Sequence, residues 1–293
     1  TPTLHFLALH RSGFTSREDG CQIVTLEQGS GVQRGAGLMS HVFGISAARR
    51  AGLDGQTSDV ARVWLDGGLT VAAVAGGADC GWSVYFAPAS RLLLDVAMDA
   101  WKATSGASEE RVKQAATQIG GRFPEEVCEL IPNEEDAYET FGAPGGSLVM
   151  AVADTTVVWV AWLGGEGAAL VRHSKIVAAT APHTMKNGYR GQLSAGQIAA
   201  LPDVYTGYLS VDAADRKMEH VSAGWAAEPG DRLVLLNREA QRAITVRDLE
   251  ASCAREPGVG ELAANVVELT MDRGATSAAS IVVQWPTRPG AAT

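Results

Sequence analysis

Cysteine is scarce in this chain, with four residues in 293, at positions 21, 80, 128 and 253. None forms a C-x-x-C pair and no histidine stands at zinc-finger spacing from one. A disulfide framework and a structural zinc are therefore excluded, and a reducing, cytoplasmic location is expected. Cys80 and Cys128 lie among apolar or small neighbours and read as buried small hydrophobes. Positive charge is scarce too: 24 Lys and Arg stand against 33 Asp and Glu, a formal net charge of -9. That balance excludes a general nucleic-acid binder and a surface that adheres to anionic membranes. A long uninterrupted apolar run is missing. The most apolar stretch, residues 147–170, contains Asp154, Thr155, Thr156 and a Gly-Gly-Glu-Gly, and is too broken to span a bilayer. No signal-peptide pattern opens the chain, where His5, His10 and Arg11 interrupt the apolar residues, and Thr1 in place of Met leads us to expect a trimmed N-terminus.

What remains is an ordinary globular composition, 46% apolar and 19% charged, which expects an ordered domain. Residues 4–9 and 22–26 have strand character, with Gly29-Ser30-Gly31 as a connector, and residues 1–41 read as strands or an arm on the domain. Residues 61–65 and 69–75 flank Asp66-Gly67-Gly68, a hairpin signal. A helix is expected over 88–103, with Leu92, Leu93, Val96, Ala100 and Trp101 on one face. A second starts at Ser108 as N-cap with Val112, Ala115, Ala116 and Ile119 as its stripe, and a short third covers 124–130. Residues 147–152, 156–163 and 168–172 read as a meander, and the run from Val157 to Trp162 as a strand buried on both faces. Residues 183–203 read as a surface excursion. Strands at 218–222 and 231–236 flank Pro229-Gly230. A helix from Val246 has Thr245 as N-cap and Asp248 completing a capping box. Another covers 260–271 with Leu262, Val266 and Leu269 aligned, and a strand covers 280–285. Strands come mostly as sequential hairpins, so antiparallel pairing is expected. No interior linker divides residues 42–286, and 287–293 read as a flexible tail.

Five motifs in this order resemble the metal-dependent serine/threonine protein phosphatases of type 2C. They are Gly52-Leu53-Asp54-Gly55-Gln56-Thr57-Ser58-Asp59, Val74-Ala75-Gly76-Gly77-Ala78, Leu163-Gly164-Gly165-Glu166-Gly167, the segment Pro229-Gly230-Asp231-Arg232-Leu233-Val234-Leu235-Leu236-Asn237-Arg238-Glu239-Ala240, and Ser277-Ala278-Ala279-Ser280-Ile281-Val282-Val283. The resemblance implies an α+β fold, a four-layer α/β/β/α sandwich of two antiparallel sheets flanked by helices. It also implies a site where paired Mn or Mg ions, held by aspartates at strand ends, generate a hydroxide that attacks a phosphoserine or phosphothreonine. Matched motif by motif, the ligand positions read Asp59, Ala75, Gly165, Arg238 and Ser277, with the Gly76 carbonyl beside them. One carboxylate remains of five. The apolar framework is kept and the ligands are lost.

Nearby carboxylates do not replace them in this reading. Glu166 and Glu239 are each offset by one residue, which in a strand points a side chain to the opposite face. Asp79 lies four residues past Ala75 in a glycine-rich turn, and one recruited Asp does not build a two-metal site. Arg238 puts a guanidinium where a dication's ligand should be, and would pair with Asp59 if the two ends meet as in the family. No cofactor is expected on these grounds; Mn or Mg would be the metal if the protein were active. The function expected is that of a pseudophosphatase, a binding or regulatory protein whose partner is a kinase, a phosphatase or a phosphoprotein. The alternatives are a divergent phosphatase with weak activity and a structural subunit that uses residues 1–40 as a strand donor.

Other chemistry is weakly supported. No G-x-S-x-G elbow accompanies the six histidines. His183 reads as a loop histidine, and Arg49 and Arg50 as surface charges. Gly29-Ser30-Gly31 and Gly35-Ala36-Gly37 lack the Gly-Lys-Ser/Thr of a phosphate loop. Of seven tryptophans, Trp64, Trp101, Trp159, Trp162 and Trp285 read as core. Trp82, in the loop beside the degenerate site, is a candidate anchor for a partner, together with Asp79 and Arg238.

Overall fold

The computed structural model describes residues 11–16, 21–27, 41–50, 59–77, 86–130, 145–202, 204–210, 219–220 and 224–287. The chain begins with β1 (Arg11–Ser16), β2 (Cys21–Glu27), β3 (Val42–Arg50), β4 (Asp59–Asp66) and β5 (Leu69–Gly77), then α1 (Phe86–Ala103) and α2 (Ser108–Cys128). Next come β6 (Gly145–Ala153), β7 (Val157–Leu163), β8 (Gly167–Arg172) and β9 (Lys175–Ala179). The excursion carries α3 (Met185–Gly188) and α4 (Ala195–Ala200), and short strands β10 (Leu209–Ser210), β11 (Glu219–His220) and β12 (Trp225–Ala226) follow. The chain continues with β13 (Arg232–Leu236), α5 (Arg238–Ala243), α6 (Val246–Arg255), α7 (Val259–Asp272) and β14 (Ser277–Gln284). No described helix is long and apolar enough to cross a membrane.

The strands form two antiparallel sheets. Sheet I runs β1-β2-β3-β14-β13-β8-β9, and sheet II runs β11-β7-β6-β5-β4, with β10 on β6 and β12 on β7. The order follows from the sequence: each strand of sheet II alternates between two apolar sets. On β5, Val71, Ala73 and Ala75 face α1 and α2, while Ala72 and Val74 face sheet I. On β6, Leu148, Met150 and Val152 join the helix side and Val149, Ala151 and Ala153 the seam between the sheets. β7 is divided in the same way, so the expected double burial of this run is observed. The second outer layer is α6 and α7, which cover Ala169, Val171, Val234 and Val282 of sheet I. The expected four-layer α/β/β/α architecture is therefore the observed one. Of residues 1–41 the structure describes His41 and the antiparallel pair β1–β2, which extends sheet I through pairing of β2 with β3.

Several boundaries differ from expectation. The strand expected at residues 4–9 lies outside the described residues, and of the one expected at 218–222 only β11 is described. The separate helix expected at 124–130 is the last part of α2, which runs through Pro124. A proline there removes one helical N–H and crowds the carbonyl four residues back. That residue is Gly120, and burial of Ile119, Phe123 and Val127 along one face offsets the lost bond. The N-cap of α2 is Ala107 rather than Ser108, without a side-chain hydrogen bond. The capping box of Thr245 and Asp248 on α6 is present. Strand β9 was not expected. It pairs with β8 through a two-residue turn, His173-Ser174, with φ of 47° and 58°.

Polar contacts fasten the layers. The Asp66-Gly67-Gly68 turn joins β4 to β5 as expected, and Asp66 accepts from Trp101 Nε1 of α1 at 2.9 Å and from Arg111 of α2 at 2.7 Å. The Arg111 guanidinium lies 3.7 Å from the centre of the Trp101 ring. At the other face, Asp231 of the Pro-Gly-Asp segment is 2% exposed and held by Arg172 Nε at 3.0 Å and Nη2 at 2.8 Å. A backbone N–H from Glu228 completes its shell at 2.9 Å.

Two outcomes are expected. Arg172→Ala leaves the buried Asp231 carboxylate without its cation and lowers stability by roughly 3 kcal/mol in denaturant unfolding. Gly121→Ala, where an added Cβ meets nothing within 4 Å in an exposed helical position, raises stability by about 0.5–1 kcal/mol in the same assay.

Candidate functional site

The ends of β4, β5, β6, β7, β8, β13 and β14 meet at one end of the sandwich. The β4–β5 register pairs Asp59 with Gly76, and the β5–β6 register pairs Gly76 with Ser147. The β7–β8 connection, Gly164-Gly165-Glu166, crosses here from sheet II to sheet I. Leu236 at the end of β13 is paired with Gly167 and with Ser280, and Asn237 then caps α5. The motifs that carry the sequence resemblance thus lie together, although they are far apart in the chain.

The crossing requires glycine. Gly164 has φ of 105°, and a Cβ there would stand 2.2 Å from the Cβ of Ser147. Gly165 is needed for a different reason, since its backbone is outside the left-handed region. A Cβ at Gly165 would lie 2.6 Å from Cγ of Arg238 and 2.7 Å from Cε1 of Tyr205. Arg238 is the first residue of α5, its side chain is 21% exposed, and its guanidinium lies 5.8 Å from the centre of the Tyr205 ring. Among the described residues, its ion-pair partner is Glu239 at 3.8 Å. The expected pairing with Asp59 concerns a side chain outside the description.

Two further positions correct the sequence reading. Ala75 was assigned to a ligand position facing the cleft, but it is buried on the helix side of sheet II with Leu93, Ile119 and Phe123. Alternation gives the seam side to Gly76, the next residue, in the row of Asp59 and Ser147. Glu166 was expected to point away from the seam. It precedes β8 in phase with Ala168 and Leu170, which line the seam, and it is fully buried. Its Oε2 lies 3.2 Å from the place of a Cβ on Gly164. The inference from a one-residue offset fails here because the Gly-Gly crossing is not extended strand, so phase does not carry through it. Glu239 lies in a helix, where strand alternation does not apply. Ser277 opens β14 in phase with Ala279 and Ile281, is buried, and is registered with Arg49 of β3. Asp79 and Trp82 lie outside the described residues.

Two site residues were not foreseen. His183, read as a plain loop residue, is bonded to the crossing at two points: its N–H donates to the Gly164 carbonyl at 2.9 Å, and its Nδ1 accepts the Gly164 N–H at 3.1 Å. That acceptor role fixes the proton on Nε2. Tyr205 returns the excursion beside it through a bridge to Thr184 and packs on Gly165. The return of His183 and Tyr205 was not legible in the sequence, because it depends on the closure of the excursion.

Gly165→Ala should lower stability by roughly 2 kcal/mol through overpacking. In an Arg238→Ala/Tyr205→Ala background the same substitution should cost less than half as much, which a double-mutant cycle of thermal or urea unfolding measures.

Among the described residues, no group of three or more His, Cys, Asp and Glu side chains is placed to hold a metal ion. With Arg238 beside Gly165, the described side chains do not fit a pair of divalent cations. No family model and no curated protein matches the sequence. Solved structures do match. The S. agalactiae serine/threonine phosphatase has 17% identity and a TM-score of 0.66, over 84% of this chain and 98% of that one. The Mycobacterium tuberculosis serine/threonine phosphatase PstP/Ppp has 16% identity and a TM-score of 0.64, over 83% and 99%. The catalytic domain of PstP in complex with two manganese ions has 17% identity and a TM-score of 0.61, over 83% and 98%. Two antiparallel sheets between helical layers, with the resembling motifs gathered at one end, give this chain the fold of the type 2C-like (PPM) serine/threonine phosphatases.

Proposed function

We propose that this protein is a catalytically inactive pseudophosphatase that acts by binding a protein partner in phosphorylation-dependent signalling. The observation that carries the reading is the packing of Arg238 and Tyr205 on Gly165. At one expected ligand position a guanidinium replaces a carboxylate, and at another the room for any side chain is taken. A guanidinium repels a divalent cation. Function follows from the site rather than the fold, so lost ligands outweigh the shared architecture.

A binding role has support on the excursion. Tyr189 is 44% exposed beside the exposed Arg190, residue types that anchor protein interfaces. The segment is held in shape by the Ser194–Gln197 capping box and by the bonds of His183. A kinase, an active phosphatase or a phosphoprotein is the class of partner this reading implies. One observation favours the rival reading of a weak divergent phosphatase: Glu166 brings a carboxylate to the seam beside the Asp59–Gly76–Ser147 row.

The two readings separate in one experiment. With Mn²⁺ or Mg²⁺ and an aryl phosphate or a phosphoserine peptide, the expected result is no turnover above the uncatalysed rate and no thermal shift on adding Mn²⁺. Metal-dependent turnover that disappears in Asp59→Ala would overturn the inactive reading.

A further inference from the structure

The end of the sandwich away from the site is closed by a histidine. His41, immediately before β3, is 3% exposed. Its Nε2 lies 3.1 Å from the carbonyl of Asp154 in the β6–β7 turn, and its Nδ1 lies 3.1 Å from Thr70 Oγ1 on β5. Both contacts are in sheet II, whereas His41 leads into sheet I. Trp285, just past β14 of sheet I, packs edge-on against the imidazole at 4.9 Å and donates its indole N–H to the same Asp154 carbonyl at 2.8 Å. One carbonyl of sheet II therefore receives two ring N–H groups from sheet I. A carbonyl is only an acceptor, so Nε2 carries the proton. Nδ1 of the neutral ring then accepts the Thr70 hydroxyl, and every polar atom is satisfied.

We propose that His41 is a pH-sensitive latch between the two sheets, closed while the imidazole is neutral and released when it is protonated. Protonation turns Nδ1 from acceptor to donor, so the Thr70 hydroxyl must rotate to accept, and it puts a charge where water has almost no access. The elements packed on the ring offer little compensation. Thr70 and Trp285 carry no charge, and among the described residues the charged group acting on the imidazole is Asp154. Its Oδ1 already accepts the Thr155 N–H at 2.6 Å. Burial holds the imidazole below its usual 6.5, against the opposing pull of the Asp154 carbonyl and carboxylate. The unfolded chain therefore binds more protons than the folded one in the window below 6.5. The latch's contribution is complete above that value and is lost as the pH falls through the folded pKa.

Hydrogen exchange and thermal unfolding of the full chain at about pH 7.5 and about pH 5 test this, with exchange corrected for its intrinsic pH dependence. The expected result is faster exchange at the β6–β7 turn and the end of β14 in acid, by up to about tenfold per pH unit below the unfolded pKa. His41→Gln keeps an amide donor for Asp154 and an acceptor for Thr70 but does not titrate. It should lose most of this acid-dependent increase and part of the fall in Tm. Equal acid sensitivity in wild type and His41→Gln would overturn the latch. If the variant does not fold, histidine NMR on the wild type decides: an imidazole that titrates at or above 6.5 from within the closed seam overturns it, and one that titrates below supports it.

Discussion

The structure depends on the alternation of side chains along strands buried on both faces. Along residues 71–75 of β5, 148–153 of β6 and 158–163 of β7 every side chain belongs either to the seam or to the helix layer, and no position there can absorb an error in phase. Neighbouring strands must therefore be in register, since a slip of one residue would exchange two different packing surfaces. Trp64, Val71, Val152 and Trp159 show the result: the register places them in one row across four strands, with the smaller residues beneath the helices and an indole at each flank.

The same alternation decides what the motif-bearing end of the sandwich can do chemically. It turns Ala75 to the helices and gives Gly76, which has no side chain, to the seam. It brings Ser277 to the seam at the end of β14. Where extended strand gives way to the Gly164-Gly165 crossing, phase no longer rules and packing takes over. Arg238 and Tyr205 fill the space above Gly165, and Glu166 is drawn inside. A cation site requires oxygen ligands converging on an open point. Here the described groups include a guanidinium and an aromatic ring, closed over a turn that tolerates only glycine.

The two ends differ in character. At the far end charged and polar groups are enclosed by partners: Asp231 is held by Arg172 and a backbone N–H, and the Asp154 carbonyl is shared by His41 and Trp285. Arg232 extends this order to the outer layer by donating to the carbonyls of Cys253, Glu256 and Pro257 at the end of α6. The Cys253 thiol beneath is pushed up to about 11 by burial, as expected of a cysteine used for packing rather than chemistry. The Pro-Gly-Asp segment, which reads in sequence as part of the site's motif, serves this far end through Asp231, while its strand delivers Arg238 to the other.

The sequence by itself determined the layers, the antiparallel order, the Asp66-Gly67-Gly68 hairpin, the stripes of α1 and α2 and the Thr245 cap. All of these depend on periodicity and short-range stereochemistry, which a sequence displays directly. It also displayed that Ala75, Gly165, Arg238 and Ser277, at positions matched to the family's ligands, carry no carboxylate, because that is a matter of residue type. It could not display that α2 continues through Pro124, since burial against sheet II, a tertiary term, outweighs the local cost. Nor could it give the side on which Glu166 lies, because a glycine crossing resets the phase, or which of two apolar faces takes Ala75, because both faces of β5 are buried. The closing of His183 and Tyr205 onto Gly164 and Gly165 was decided only by the tertiary structure: contacts between segments 19 to 40 residues apart arise from how the chain returns, and no local pattern records that.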